Sequence, residues 1–215
     1  KLASLSLISV RSDIGTSTLI RDVATVTGRA GVATLVIDLS GGRSDGSRSA
    51  GQPRWSLQGR EGVPAKPVAS GLGFDVISGS SGDEARAAFN DPQRVRSGLS
   101  AQFSSYSLIL LDLPGLVDQA SDQVNAVAAA AACDGAVLVC ATGEEEAGDV
   151  RAAVALLQAA GGKFYGAIMD DRSNPTLAQE LRRFARERQL LARFIPGRLL
   201  TWLAARKILN SQIHS

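Results

Sequence analysis

Along the chain, short runs that are apolar at nearly every position alternate with segments whose apolar residues recur at helical spacing. The apolar runs are Leu2–Val10, Ala33–Asp38, Phe74–Ser78, Ser107–Asp112, Ala136–Ala141 and Phe164–Met169, followed by a less regular one at Leu190–Ile195. Helical patterns fall between them near 17–28, 83–101, 119–133, 147–160 and 175–189, with a last one near 198–210. A strand that is apolar on both faces must be covered on both, which is what crossover helices do to a parallel sheet. The alternation therefore predicts an α/β fold, a doubly wound and mostly parallel sheet with helices on both faces. A length of 215 residues suits one such domain, spanning 1–215, with no repeat and no second domain.

One stretch departs from this rhythm. Residues 41–72 are rich in Gly, Ser, Pro and Arg and carry almost no apolar periodicity, so an irregular insertion is expected there. Trp55 and Leu57 are its candidate anchors, on a short helix. No apolar run approaches the ~18 residues of a membrane helix. The longest candidate, AVAAAAACDGAVLVC, is interrupted by Asp134 and Gly135. No signal-peptide pattern is present, and the chain begins at Lys1 rather than at a methionine, as expected of a part excised from a longer protein; an upstream membrane segment stays open.

Composition removes several kinds of chemistry. Hydrophobic residues make up 45% and charged residues 20%, which excludes a disordered chain. Cys133 and Cys140 fall at a helix end and in a buried type of strand, and read as reduced core thiols rather than a disulfide or metal pair. The lone His214 lies at the chain's end, so neither a zinc site nor a His-based triad can be assembled. Net charge is only +2, and of 23 basic residues only Lys1, Lys66, Lys163 and Lys207 are lysines. No block of like charge marks a nucleic-acid surface. The densest basic cluster, Arg182, Arg183, Arg186 and Arg188, is diluted by Glu180 and Glu187, as on a solvated helix face.

In a doubly wound sheet, ligands bind at the carboxyl ends of the strands. Three predicted strand ends carry polar residues there: the loop from Ser9 to Thr18, then Ile37-Asp38-Leu39-Ser40, then Asp112-Leu113-Pro114. A phosphate-binding loop cradles phosphates with backbone N–H groups at a helix N-terminus, adds a lysine for the β/γ-phosphates, and ligates magnesium through a Ser/Thr hydroxyl. Here Gly15 and the hydroxyl of Ser17 are present, and Thr16 stands where the lysine belongs. The candidate phosphate loop is Arg11, Ser12, Asp13, Ile14, Gly15, Thr16, Ser17 and Thr18. Ser17, Asp38 and Asp112 are the candidate magnesium ligands, and the two aspartates are the candidate catalytic residues. Each feature has a structural reading too. An aspartate at a strand end can be a helix cap or turn former, and Ser17 or Thr18 can be an N-cap. Together and in this order, they indicate P-loop ancestry.

These motifs resemble the deviant Walker family that includes MinD and ParA, and most of all the cytoplasmic domain of bacterial tyrosine kinases (BY-kinases). That group has a loop of the form Ser-Pro-Ser-Ile-Gly-Lys-Thr, a strand ending Ile-Asp-x-Asp and another ending Asp-x-Pro-Pro. This chain has Arg11-Ser12-Asp13-Ile14-Gly15-Thr16-Ser17, Ile37-Asp38-Leu39-Ser40 and Asp112-Leu113-Pro114-Gly115. Asp134–Val139, Asp149–Ala153 with Leu156-Leu157, and Tyr165–Met169 are similar to the elements that follow. The resemblance covers about residues 5–196 and implies the P-loop NTPase fold.

Against that pattern the chemistry is eroded. Thr16 replaces the lysine, Ser40 the second aspartate, and Asp170 an asparagine common before the adenine pocket. The tail ARKILNSQIHS lacks the tyrosine cluster that such kinases phosphorylate, and Tyr106 and Tyr165, beside or within predicted strands, read as packing residues. Losing one charged group that stabilises a transferring phosphate costs on the order of 10²–10³ in rate, roughly 3–4 kcal/mol. Arg11 sits where MinD-like proteins have an extra lysine and could keep a phosphate contact. The resemblance therefore implies a pseudokinase or pseudo-ATPase with vestigial Asp38 and Asp112. It would require no cofactor, although ATP or ADP with Mg could bind. Its expected role is as a regulator or scaffold in bacterial exopolysaccharide synthesis and export. The implied partners are an inner-membrane polysaccharide co-polymerase or export protein and further copies of the chain, with no nucleic acid. The implied location is the cytoplasm, at the inner face of the membrane through that partner. The alternative is an active MinD/ParA-like ATPase acting at the membrane or in positioning. The segment GRLLTWLAARKILN, with Leu199, Leu200, Trp202 and Leu203 on one face, can lie in a membrane interface or pack on the sheet edge.

Overall fold

β1 (Ala3–Ser9), the first apolar run, is the strand around which the rest is arranged. The computed structural model describes residues 2–12, 14–40, 57, 66–79, 87–117, 123–142 and 145–170. β1 leads into α1 (Thr16–Arg29), and β2 (Thr34–Asp38) follows. Next come β3 (Val68–Ala69), β4 (Asp75–Ser78), α2 (Pro92–Gln102) and β5 (Leu108–Asp112). The described elements end with α3 (Ala126–Ala132), β6 (Gly135–Ala141), α4 (Ala147–Ala159) and β7 (Phe164–Asp170). The seven strands form one sheet in the order β3-β4-β2-β5-β1-β6-β7. Pairs β1–β5, β1–β6, β2–β5 and β2–β4 are parallel, and β3–β4 is antiparallel. This is the predicted α/β architecture.

By packing, the chain divides into two compact units. The first, Lys1–Cys140 with Glu145–Asp170, carries the sheet and its helices. The second is Ala141–Glu144 with Asp171–Ser215, of which only Ala141 and Thr142 are among the described residues.

The central strands are buried as their composition requires. Leu7, Ile8, Leu35, Ile37, Ile109, Leu110, Leu111 and Leu138 are all essentially inaccessible to solvent. α3 is an alanine helix buried along almost its whole length, because small side chains let its backbone approach its neighbours closely. Its N-terminus is capped by the Asn125 side chain, which accepts from Ala128 N–H at 3.1 Å. At its other end, Arg96 of α2 donates to the carbonyls of Ala131, Ala132 and Cys133 at 3.4, 2.9 and 3.3 Å. A guanidinium there satisfies terminal carbonyls and opposes the negative end of the helix dipole. Cys133 and Cys140 are unpaired and buried, and burial pushes the Cys133 thiol up to about 12. Among the described residues, no helix is long and apolar enough to cross a membrane.

Four expectations are corrected. The helix predicted over 83–101 is interrupted: Ala87 and Ala88 are helical, the chain turns at Phe89-Asn90, and a new helix begins at Pro92 with Asp91 as its N-cap accepting from Gln93 and Arg94 N–H. Proline restricts the residue before it to extended backbone and fits the first helical position, so Asp91-Pro92 starts a new helix. The helix expected from 119 starts at Ala126, behind its Asn125 cap. The stretch 41–72, expected to be irregular, contributes β3 as an edge strand, and Leu57 packs in the core. β7, read as buried, is mostly exposed: it is the edge of the sheet among the described residues and leaves Tyr165 66% and Met169 61% accessible. Tyr106, by contrast, packs against Phe103 and donates to Asp75 at 2.7 Å. The strand at 190–195, the helices at 175–189 and 198–210, and most of 41–65 including Trp55 lie outside the described residues.

Candidate functional site

The sheet order sets β2 and β1 on either side of β5, so their carboxyl ends share one rim. Asp38 and Asp112 are direct partners in the parallel register, side by side at the ends of β2 and β5. Leu39 N–H donates to the Asp112 carbonyl at 2.9 Å and fixes that alignment. After β5 the chain runs beside the end of β1, with Leu116 N–H on Ser9 O at 3.0 Å and Val117 N–H on Val10 O at 2.9 Å. Gly115 touches the loop that begins there. Its N–H donates to Ser12 Oγ at 3.3 Å, and a Cβ on it would lie 2.4 Å from Ser12 N and 2.5 Å from Arg11 C. Only glycine permits that approach.

The loop then turns into α1 through Gly15, whose φ of 91° lies in the left-handed region that glycine alone enters freely. The N–H groups of Thr18 and Leu19 both point back to Gly15 O at 3.0 Å. Thr16 and Ser17, in the first turn, have no carbonyl a turn behind them to accept their N–H groups. No side chain caps this end of the helix. The result is an N-terminus whose N–H groups and dipole face the rim between β1 and β5, the arrangement that suits an anion.

The predicted loop residues divide by position. Arg11 and Thr18 are exposed, Ser12, Gly15 and Ser17 half-buried, and Ile14 and Thr16 buried. Asp13 lies outside the described residues. Thr16, in place of the lysine, is 6% accessible, and its Oγ1 is a buried atom with no hydrogen-bond partner among the described residues. Asp112 is 5% accessible and its Oδ1 is likewise unpartnered. Burial pushes the Asp112 carboxyl up to about 7, and the neighbouring Asp38 carboxylate adds to the rise. The Ser17 hydroxyl and the Arg21 guanidinium pull the other way. Asp38 is clamped by the residue that replaces the second aspartate: Ser40 donates to its Oδ1 from both N–H, at 3.1 Å, and Oγ, at 2.7 Å. Gln123 in turn donates to Ser40 O at 2.8 Å.

This donor set fits a small divalent cation. A hydroxyl and a buried carboxylate with a vacant oxygen are hard oxygen ligands, and phosphate oxygens would complete the shell. Among the described residues no group of three His, Cys, Asp or Glu could hold a metal unaided. The phosphate cradle fits too, apart from the lysine's charge. Gly115, Arg21 and the Ser40 clamp were not singled out as site residues from the sequence. Arg21 had a signal, its place four residues after Ser17 on the same helix face, whereas the other two depend on contacts between strands.

No family model and no curated protein matches the chain. Solved structures do. The kinase domain of Escherichia coli tyrosine kinase ETK superposes with a TM-score of 0.66 at 22% identity, covering 81% of this chain and 70% of that one. The VpsO kinase domain gives 0.66 at 19% identity, covering 79% and 84%. Cobyrinic acid a,c-diamide synthase from Mycobacterium smegmatis, with bound ATP analog and magnesium, gives 0.63 at 15% identity, covering 87% and 83%. MinD cell-division proteins are also among the neighbours. The chain has the α/β fold of P-loop NTPases.

Proposed function

We propose that this chain is a degenerate BY-kinase-like P-loop protein that holds a nucleotide without transferring its phosphate. Its role is that of a regulator or scaffold in bacterial exopolysaccharide synthesis and export. The observation that carries the reading is the contrast within one loop. The backbone cradle is kept, with left-handed Gly15, a helix N-terminus that has no side-chain cap and Gly115 against Ser12, while a buried threonine stands at the lysine position. A cradle without its lysine binds phosphate through N–H groups and loses the charge that follows the phosphoryl group into the transition state. Ser40 also occupies Asp38 Oδ1 with two donors, so that oxygen is not open to an incoming hydroxyl.

If nucleotide binds with magnesium, Ser17 and Asp112 would hold the ion and Asp38 would stand behind it. Magnesium there would neutralise phosphate charge and orient the chain of oxygens. The motif resemblance to bacterial tyrosine kinases implies the proposed partner, an inner-membrane polysaccharide co-polymerase or export protein, with a cytoplasmic setting and self-association. A second reading, an active MinD/ParA-like ATPase, is favoured by the retained Ser17, Asp38 and Asp112 on one rim. Incubation of the purified chain with ATP and magnesium separates the kinase class from the scaffold. No phosphotyrosine is expected on the chain, while the chain captures an intact polysaccharide-export protein from detergent-solubilised membranes. Strong phosphotyrosine, abolished by Asp38→Asn, would overturn the proposal.

A further inference from the structure

Thr16 is more than a missing lysine. α1 carries four threonines, and three of them have somewhere to place the hydroxyl. Thr25 donates to Arg21 O at 2.7 Å and Thr27 to Val23 O at 3.0 Å, the bonds that a threonine makes to the preceding turn inside a helix. Thr18 is exposed and reaches solvent. Thr16 is 6% accessible, and its Oγ1 has no hydrogen-bond partner among the described residues. As the first helical residue after Gly15, it has no helical turn behind it to accept such a bond. Side chains tilt towards the N-terminus of their helix, so this hydroxyl leans to the end that faces the rim. Asp112 Oδ1, at the end of β5 on the same rim, is likewise buried and unpartnered. A buried hydroxyl without a partner weakens a fold, and valine would fill the same space without that cost. A ligand that brings an acceptor accounts for the group.

We infer that the Thr16 hydroxyl is a phosphate ligand of this loop, so that the site reads the diphosphate of a nucleotide and leaves a third phosphate without a contact of its own. The inference rests on the nucleotide-site reading above. Its physical basis is reach. In a phosphate loop the backbone N–H groups cradle the α/β-phosphates, and a lysine on its four-carbon stem extends to the β/γ-phosphates. A threonine hydroxyl is attached at Cβ and stays within the cradle. It donates there to an oxygen of the phosphate seated at the N-terminus of α1, where the helix dipole also favours the anion. The hydroxyl is neutral, so it adds a contact without the charge that transfer requires. ADP and ATP are then held by the same part of the molecule.

Calorimetric titration of the unmodified chain, Thr16→Val and Thr16→Ser with ADP, ATP and pyrophosphate tests this, alongside urea unfolding of the free proteins. Valine keeps the shape and removes the hydroxyl. Free Thr16→Val should be at least as stable as the unmodified chain, because the lost group had no partner there. Its affinity for ADP and for ATP should fall by the same factor, about fivefold to tenfold, the scale of one net hydrogen bond. Thr16→Ser retains the hydroxyl and should recover the affinity. A loss of less than about threefold, or one confined to ATP, would overturn the inference and leave the nucleotide site standing. So would a free Thr16→Val that is less stable than the unmodified chain, since the hydroxyl would then have a partner without ligand. Absence of ADP and ATP binding by the unmodified chain would overturn the nucleotide-site reading. Pyrophosphate then decides alone: binding that is lost in Thr16→Val and kept in Thr16→Ser supports the inference, and equal or absent binding overturns it.

Discussion

Replacing Asp112 by asparagine should stabilise this protein at mildly alkaline pH, although it removes a residue at the heart of the site. Asp112 is 5% accessible, and burial together with Asp38 lifts its carboxyl from the ordinary 3.8 to about 7. A folded-state pKa above the unfolded value means that the native protein binds the proton more tightly. The resulting stabilisation is fully present below about pH 4 and is lost as pH rises through 7. The interval corresponds to about 4 kcal/mol at 1.36 kcal/mol per pH unit, so the ionised carboxylate weakens the fold by roughly that amount above pH 8. Asparagine has the same shape and no charge. Urea unfolding of both proteins at several pH values should show near-equal stability at about pH 4 and a gain for Asp112→Asn that grows towards pH 8. The gain should reach up to about 4 kcal/mol, less whatever the Ser17 contact loses. A stability difference that does not change with pH would refute the reasoning, as would a variant that is less stable at pH 8.

Three further outcomes follow from particular contacts. Gly115→Ala should cost about 2–3 kcal/mol and displace the phosphate loop, since its Cβ would meet Ser12 N at 2.4 Å; chemical denaturation and ADP titration read both effects. Arg96→Ala should lower stability by about 1–2 kcal/mol by stripping three α3 carbonyls of their donor, with ADP affinity unchanged. Thr16→Lys should raise nucleotide affinity on the order of ten- to a hundredfold in calorimetry, one charge-assisted contact added to an existing cradle. Phosphate transfer should recover less, because Ser40 still occupies Asp38 where the family has a second carboxylate.

β1, β2, β5 and β6 were legible because burial leaves an unbroken apolar run, and each follows its run within two residues, whereas β3, two exposed residues in the stretch expected to be irregular, was not. β7 has the same apolar character but ends the sheet among the described residues, and a run of residues says nothing of whether a neighbour covers it. The start of α2 was misjudged by carrying the helical pattern through Asp91-Pro92, a boundary that the local chemistry does mark. At the site, Gly15, Ser17, Asp38 and Asp112 could be read because motif spacing and strand ends place them. Gly115 could not, since its constraint is a loop more than a hundred residues earlier in the chain. Nor could the Ser40 clamp, in which the residue that marks erosion is also the one that occupies Asp38.

Binding without turnover is the claim on which the rest depends, and one calorimetric titration with ATP and with ADP in magnesium tests it if released phosphate is measured in the same cell. The expected result is one saturable site per chain, similar affinities for the two nucleotides and no phosphate released from ATP. Heat from sustained ATP hydrolysis, or no binding of either nucleotide, would contradict the account.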